Sequence, residues 1–208
     1  MFNNPRYWQP LDDLLKADYF IDGTITSAKA LLPYINSLGK DLVAAEVGTA
    51  FGTNMIYIME NCSIAKFIVI DPHEGYQDWG PDCGHGEMTA EVMHGVGDKF
   101  LENLSAYSKK DLIQYIKKPA DDAKDDIEDE SLDYLFIDGN HAEEFVYNDC
   151  KNYWSKIKKG GIMSGHDFDA SPVQRGVYRF ASENNIPTEK IIPAYNINTP
   201  PCWLIIKE

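Results

Sequence analysis

The sequence predicts an α/β fold in which helices cover both faces of a mostly parallel sheet of seven strands. Short apolar runs, each typical of a buried strand, alternate along the chain with segments whose apolar residues recur at helical spacing. Such alternation is typical of parallel sheets that are covered on both faces. Only the short segment 196–201 separates the last two predicted strands, and it leaves no room for a crossover helix. We therefore expect these two strands to form an antiparallel hairpin.

The individual elements follow from local patterns. Apolar and often β-branched runs predict strands at residues 42–47, 66–70, 111–116, 132–137, 162–165, 191–195 and 203–207. Apolar stripes at spacings of three and four residues predict helices at residues 26–38, 53–60, 88–104, 120–127, 141–157 and 173–182. We expect Thr26 to cap the first helix and Gly39 to end it. The pair Gly160-Gly161 is expected to separate the fifth helix from the strand that follows.

Length and composition limit the domain organisation and the partners. The 208 residues fit one large domain, which we place at residues 26–208, after a cap segment at residues 1–25. Aromatic side chains of that cap either form a wall for stacking on a ring or a sugar or pack the segment onto the domain; they are Tyr7, Trp8, Tyr19 and Phe20. The net charge of −14 argues against binding to nucleic acid or to an anionic membrane surface.

The sequence lacks the patterns that are typical of secreted proteins, of structural zinc sites and of membrane proteins. The four cysteines are widely separated and form no C-x-x-C pair, which argues against a disulfide framework or a structural zinc site. The N-terminus has no basic region followed by an apolar run, and no apolar run approaches the roughly 20 residues that a bilayer requires. We therefore expect a cytoplasmic protein.

Acidic residues stand at the ends of four predicted strands, in the order Glu46, Asp71, Asp138 and Asp167. Ligands of doubly wound sheets bind at the carboxyl ends of the strands. A single acid at a strand end can occur by chance in a chain with 33 Asp and Glu residues, but four in succession favour a shared site.

A glycine-containing loop, Gly48-Thr49-Ala50-Phe51-Gly52, follows the first strand and permits close approach of a ligand to the backbone. The loop lacks the G-x-G-x-x-G and G-x-x-x-x-G-K-[S/T] patterns, which favours a ligand without a pyrophosphate. Asp71 lies 23 residues after Gly48, a spacing at which an acid accepts both hydroxyls of a ribose. The alternative for Asp71 is a solvated strand end or a cap.

Three segments carry a resemblance to a known family. Residues 45–52 resemble motif I of class I S-adenosylmethionine-dependent methyltransferases, and Asp71 is similar to the acid of their motif II. Residues 131–141 and 158–168 resemble a subgroup related to macrocin O-methyltransferase and cephalosporin hydroxylase. The resemblance covers roughly residues 26–207 and implies a Rossmann-like three-layer sandwich that binds S-adenosylmethionine.

The resemblance also implies which residues contact this cofactor. Glu46 suits its cationic amino-acid moiety, directly or through water, and Asp71 suits its ribose. The backbone of Ala120 suits its adenine, with Asp121 or Asp122 a weaker candidate. The adenine motif of the family, often Gly-Asp-Ser, is out of register in this chain at residues 118–121. The remaining predicted contacts are Gly48, Thr49, Ala50, Phe51, Gly52, Pro72, His73 and Asp138.

The reaction site is expected where Asp138-Gly139-Asn140-His141 and His166-Asp167 end neighbouring strands. In related O-methyltransferases acids at these positions bind magnesium, so Asp138, Asp167 and His166 are predicted to hold Mg²⁺ or another divalent cation. His166 and Asn140 replace acids of the family pattern. His141 is the predicted general base, and His166 is a metal ligand, an orienting residue or a second base.

The loop 72–87 is longer than usual and is expected to cover the cofactor as a lid. Cys83 and His85 of this loop are a weak candidate pair of metal ligands. Its other polar and aromatic side chains, which could contact the substrate, are His73, Glu74, Tyr76, Trp79 and Asp82.

Three functions remain open on these patterns. The first is O-methylation of a hydroxylated small molecule or sugar. The second is other chemistry on the same fold, such as hydroxylation, which requires iron or another redox partner. The third is a non-catalytic module that binds the cofactor without turnover. The missing third glycine disfavours an NAD-dependent dehydrogenase, and the sequence leaves homo-oligomerisation open.

Overall fold

The computed structural model describes residues 26–77, 87–196 and 199–208, and its centre is a seven-stranded sheet. The strands of the chain are β1 (Leu42–Val47), β2 (Ile64–Ile70), β3 (Tyr76–Gln77), β4 (Glu87–Met88), β5 (Ile113–Ile116), β6 (Leu132–Ile137), β7 (Ile157–Gly165), β8 (Ile192–Asn196) and β9 (Thr199–Ile206). The large sheet has the order β5-β2-β1-β6-β7-β9-β8. Strand β9 pairs antiparallel with both β7 and β8, and the other pairs are parallel. The predicted α/β sheet with an antiparallel C-terminal hairpin is confirmed.

Helices cover both faces of this sheet. They are α1 (Leu32–Ser37), α2 (Thr53–Asn61), α3 (Ala90–Ala106), α4 (Ala120–Ala123), α5 (Glu143–Trp154) and α6 (Ser171–Glu183). Alternation along β1 shows the two layers, because Ala45 and Val47 pack with α5 and α6 whereas Ala44 packs with α1 and α2. The architecture is the predicted three-layer sandwich.

The first predicted helix is interrupted near its start. Residues Ser27–Ala30 form a 3₁₀ turn before α1. The Thr26 hydroxyl accepts a hydrogen bond from the Ala28 amide, as predicted for a cap. Gly39 follows α1 with φ of +110°, the left-handed conformation expected of a glycine that ends a helix.

The predicted role of the pair Gly160-Gly161 was wrong. Helix α5 already ends at Trp154, and β7 begins at Ile157 and runs through both glycines. The register of β6 with β7 shifts between Leu132 and Tyr134. Gly160 has φ of +78°, so its freedom at positive φ allows the strand to continue through an irregularity.

Strands β3 and β4 pair antiparallel near the two ends of the predicted lid, residues 72–87, and Met88 of β4 was predicted as the start of a helix that begins at Ala90. The lid side chains Trp79, Asp82, Cys83 and His85 lie outside the described residues, as does the whole cap segment 1–25 with Tyr7, Trp8, Tyr19 and Phe20. Their predicted roles therefore stay predictions. Among the described residues, none of the helices has the length and apolar character needed to cross a bilayer.

Candidate functional site

A cleft of about 720 Å³ opens at the carboxyl ends of β1, β2 and β6. Its volume lies in the range of roughly 300–1,000 Å³ that small-molecule and cofactor sites occupy. The strand order reverses at this edge, because β1 has β2 on one side and β6 on the other. Six of the predicted cofactor residues line the cleft: Gly48, Ala50, Asp71, Pro72, Ala120 and Asp138.

Gly48 stands at the end of β1, where the backbone approaches that of the neighbouring strand end. Its φ is +80°, and a Cβ atom added to it would lie 2.3 Å from the carbonyl oxygen of Asp138. Its amide donates to the carbonyl of Ile70 at 2.8 Å. A side chain at this position therefore clashes with backbone atoms, and only glycine fits.

Asp71 organises the glycine loop through backbone hydrogen bonds. Its Oδ2 accepts from the amides of Thr49 at 2.9 Å and Ala50 at 3.0 Å, and its Oδ1 accepts from the amide of His73 at 2.8 Å. A carboxylate offers about four acceptor positions. Three are used by the protein itself, so roughly one remains for a ligand in the cleft.

His73 is a buried part of the loop framework and is not among the residues that line the cleft. Its Nε2 lies 2.9 Å from the carbonyl of Ala50, and its Nδ1 lies 2.6 Å from the hydroxyl of Tyr115. Because a carbonyl only accepts, Nε2 carries the hydrogen, and Nδ1 accepts from Tyr115. The ring also stacks on Phe100 at a centroid distance of 5.3 Å. The sequence gives no signal for Tyr115, which is 42 residues away.

Glu46 points to the opposite face of the sheet from the cleft, into the layer of α1 and α2. It is 1% exposed, and its carboxyl accepts from the Thr49 hydroxyl at 2.9 Å and the Asn54 amide at 3.1 Å. Burial, with smaller effects from Asp138 and Asp71, raises the pKa of Glu46 to about 8. At neutral pH this side chain is therefore mostly protonated.

The other loop residues, Thr49, Phe51 and Gly52, also lie behind the cleft wall rather than on it. The carbonyl of Phe51 accepts from the side-chain amide of Asn103 at 3.0 Å. Gly52 has φ of +81° and lies directly before α2, against the ring of Phe100. The loop is thus held from β2, from α3 and from its own threonine.

A cluster of acids and histidines adjoins the cleft at the ends of β6 and β7. Donor atoms of Asp138, His141 and Asp167 all lie within 4.8 Å of one another. The Nε2 atom of His141 is 2.9 Å from Asp167 Oδ2 and 3.4 Å from Asp138 Oδ1. The Nδ1 atom of His166 is 3.4 Å from the same two oxygens. Asp167 itself has φ of +52°, outside the usual range of a non-glycine residue.

The charges of this cluster reinforce one another. Burial alone would raise the pKa of Asp138, but His166 and His141 outweigh it and hold the pKa well below its usual value. Burial alone would lower the pKa of His166, but Asp138 and Asp167 outweigh it and raise the pKa. His166 Nε2 is buried and has no hydrogen-bond partner within the described part of the chain. His141 and His166 border a second cavity of about 10 Å³, and Asp138 borders both this cavity and the cleft.

The donor set fits a divalent cation. Two carboxylates and an imidazole are ligands that such cations accept in proteins. The sequence predicts Asp138, Asp167 and His166 as the ligands. The compact group in the structure has His141, the predicted base, beside the two acids, while His166 lies close to both acids.

Two cleft features were missed at the sequence level. Asp149 of α5 lines the cleft although it stands in the middle of a helix. The same helix fixes the segment after β5, because the Tyr153 hydroxyl donates to the Ala120 carbonyl at 2.8 Å and Asn152 donates to Asp121 at 2.6 Å. No sequence motif marks these contacts between α5 and α4.

Comparison with known families bears on this arrangement directly. A family model described as a methyltransferase domain matches residues 45–168, which run from the end of β1 past the acid and histidine cluster. The chain belongs to this methyltransferase domain family. The match includes the glycine loop, the whole acid and histidine cluster, and every residue that lines the cleft except Pro172 and Arg175.

Individual relatives are more distant. An uncharacterized protein of Acanthamoeba polyphaga mimivirus is 30% identical over 132 residues, which are 62% of this chain and 52% of that protein. The chain thus spans about half the length of this relative. The O-methyltransferase TomG of Streptomyces achromogenes, solved with SAM, has a TM-score of 0.59 at 12% identity and full coverage of both chains. An O-methyltransferase of Bacillus cereus, solved with SAH, has a TM-score of 0.55 at 13% identity, with 95% of this chain and 90% of that chain covered. At these identities the structures show a shared fold.

Proposed function

We propose that this methyltransferase domain transfers a methyl group from S-adenosylmethionine to a hydroxyl of a small molecule or a sugar. The observation that carries the proposal is one cleft that joins the glycine loop and Asp71 to Asp138, the nearest member of the acid and histidine cluster. A methyl donor held at the loop would therefore stand beside the groups that can activate an acceptor.

The cofactor would lie along the loop. Gly48 and Ala50 allow the ligand to approach the backbone, and the remaining acceptor position of Asp71 would take a ribose hydroxyl. Asp138 is held ionised by His166 and His141, so it would bind the ammonium group of the methionine moiety. Glu46, which the sequence assigns to that moiety, would act indirectly by supporting Thr49. When bound, S-adenosylmethionine supplies an electrophilic methyl group on a sulfonium.

His141 would accept the proton of the acceptor hydroxyl. Asp167, 2.9 Å from His141 Nε2, would stabilise the imidazolium that results. The acceptor oxygen would then bond to the methyl carbon as the carbon–sulfur bond breaks, S-adenosylhomocysteine would leave, and the proton would stay on His141. Alignment of the two reactants in one cleft supplies much of the rate enhancement.

Asp138 and Asp167, with His141 or His166, would hold Mg²⁺ or another divalent cation. Such an ion supplies a Lewis acid that lowers the pKa of the acceptor hydroxyl. His141 would then act either as the general base or as a ligand of the ion. Chelation separates them: activity that survives excess EDTA assigns His141 to the proton, and activity that is lost and then restored by Mg²⁺ assigns the cluster to the ion.

The test of the proposed function is binding followed by turnover. We expect calorimetry to detect S-adenosylmethionine and S-adenosylhomocysteine but not NAD, and a screen of hydroxylated acceptors with methyl-labelled donor to find transfer. His141→Ala should lower kcat by roughly 10²–10⁴-fold with little change in cofactor affinity. The control is His94→Ala, an exposed histidine of α3. Turnover and a pH profile that are unchanged in His141→Ala would remove His141 from the mechanism. Absence of any S-adenosylmethionine binding would refute the proposed function itself.

A further inference from the structure

Asp149 is the one acid of the cleft wall whose burial has no explanation within the protein fold described above. Asp149 is 6% exposed, and it lines the cleft from the middle of α5. Within the described ranges, its carboxyl makes no hydrogen bond. Its oxygens are not among the fully buried side-chain atoms that have no partner, so they reach the open space of the cleft, where a ligand can make hydrogen bonds with them.

Asp149 lies between the end of β6 and the segment that follows β5, because its Oδ2 is 3.8 Å from the position of a Cβ added to Gly139 and its helix holds that segment. One turn further along α5, Tyr153 and Asn152 hold the segment of Ala120 and Asp121 that follows β5. Strand β5 is adjacent to β2, whose end carries Asp71. A nucleoside with its ribose at Asp71 would therefore present its base to the pocket between Ala120 and Asp149.

The protonation state of Asp149 suits an uncharged base. Burial, assisted by the charge of Asp121, raises the pKa of Asp149 to about 8. At neutral pH the carboxyl is mostly protonated and offers one O–H donor and one carbonyl acceptor. Adenine presents the complementary pair, an acceptor ring nitrogen beside the donor 6-amino group.

We infer that Asp149 recognises the adenine of the bound cofactor, by donating a hydrogen bond to a ring nitrogen and accepting one from the 6-amino group. This inference rests on the proposed function, because it requires an adenosyl ligand in the cleft. It adds to the contact predicted for the backbone of Ala120 and takes the place of the weaker candidate Asp121, which is already hydrogen-bonded to Asn152. Asp149 is a specificity residue for the cofactor and takes no part in methyl transfer.

The test compares two ligands and three variants by calorimetry at pH 7. The ligands are S-adenosylhomocysteine and its purine analogue that lacks the 6-amino group. The unaltered chain should bind S-adenosylhomocysteine about tenfold more tightly than the analogue. The affinity of Asp149→Leu for S-adenosylhomocysteine should be lower by about tenfold or more, and this variant should not discriminate between the two ligands, because both hydrogen bonds are gone. Asp149→Asn keeps a donor and an acceptor and should stay within about threefold of the unaltered chain. Asp121→Asn should retain the preference.

The pH profile of binding gives a second readout that does not depend on Asp149→Leu folding. Affinity of the unaltered chain should fall as pH rises through about 8, because Asp149 loses its O–H donor, whereas Asp149→Asn should show no such fall. Asp121 is the charged neighbour that acts on Asp149. The other ionisable side chains of the cleft, common to both proteins, are Asp71, Glu74, Asp138, Glu143, Glu144 and Arg175.

The outcomes separate this inference from the proposed function. Binding of S-adenosylhomocysteine by the unaltered chain, with unchanged preference in Asp149→Leu or with the same pH profile in Asp149→Asn, would overturn the inference alone. Loss of the preference in Asp121→Asn instead of Asp149→Leu would do the same. No binding to the unaltered chain would overturn the proposed function and the inference with it.

Discussion

Replacement of Glu46 by glutamine should make the protein less sensitive to alkaline pH. Glu46 is buried, and its pKa is about 8 in the folded state against an ordinary value of 4.5. The folded state therefore binds this proton more tightly than the unfolded chain, so stability falls as pH rises from about 4.5 to about 8. At about 1.36 kcal/mol for each pKa unit, the loss between pH 5 and pH 8 approaches roughly 4 kcal/mol.

Glutamine fits the hydrogen bonds that the protonated acid makes. The Asn54 carbonyl already accepts from the Thr26 hydroxyl at 2.5 Å and from the Ala28 amide at 2.9 Å, so Asn54 can only donate to residue 46. In the variant the Gln oxygen would keep that bond, and the Gln amide would donate to the Thr49 hydroxyl oxygen, so the bond that Thr49 donates to Glu46 would reverse as the hydroxyl rotates. We therefore expect equal stability near pH 5.

The assay is urea denaturation at half-unit steps from pH 5 to pH 9. Glu46→Gln should unfold with a free energy that exceeds that of the unaltered chain by up to about 4 kcal/mol at pH 8. Asp149 and His166 also have raised pKa values and add their own decline with pH, but they are common to both proteins. Glu91→Gln, at an exposed position of α3, is the control and should follow the unaltered chain. Parallel curves for Glu46→Gln and the unaltered chain across this range would refute the argument.

Gly48→Ala and Tyr115→Phe test the framework of the glycine loop, and Gly160→Ala is a control in β7. Gly48→Ala and Gly160→Ala both place a side chain at positive φ, but only the Cβ at residue 48 meets another atom within 4 Å. Thermal denaturation should therefore show that Gly160→Ala lowers the free energy of unfolding by about 1 kcal/mol and that Gly48→Ala lowers it by at least about 2 kcal/mol more. Gly48→Ala should also lose cofactor binding. Equal losses of stability in the two variants would contradict the predicted clash at residue 48. Tyr115→Phe should cost about 1–3 kcal/mol and weaken cofactor binding, because it leaves His73 Nδ1 buried without its donor. An unchanged melting temperature would show that the hydroxyl has no such role.

The positions of the strand-end acids could be predicted because they depend on local patterns and on one rule of topology. An apolar run fixes a strand, and parallel pairing brings the strand ends to one edge, which places Asp71 and Asp138 at the same cleft. The direction of a buried polar side chain was harder to predict. Glu46 faces the far side of β1, where its partners Thr49 and Asn54 are only three and eight residues away, whereas His73 turns behind the loop to Tyr115, which is 42 residues away.

Two other features that the sequence did not predict depend on packing between helices and on unusual backbone. Asp149 stands in an ordinary amphipathic helix, and only the packing of α5 beside α4 brings it to the cleft. The glycine pair at 160–161 resembles a helix terminator, yet a left-handed residue inside a strand uses glycine for the same conformational reason. Local composition does not distinguish these two uses.

On the proposed function, order in the glycine loop and recognition of the cofactor would depend on the same residues. Asp71 and His73, which follow β2, make three hydrogen bonds to Thr49 and Ala50 in the loop after β1. The loop is therefore held in place before any ligand arrives, so binding does not have to supply the free energy of ordering it. A ribose that takes the last acceptor position of Asp71 meets a carboxylate whose other contacts already fix its orientation. A change at Asp71 must then disturb the loop and the ribose contact together, whereas a change at Asp149 should affect the base alone.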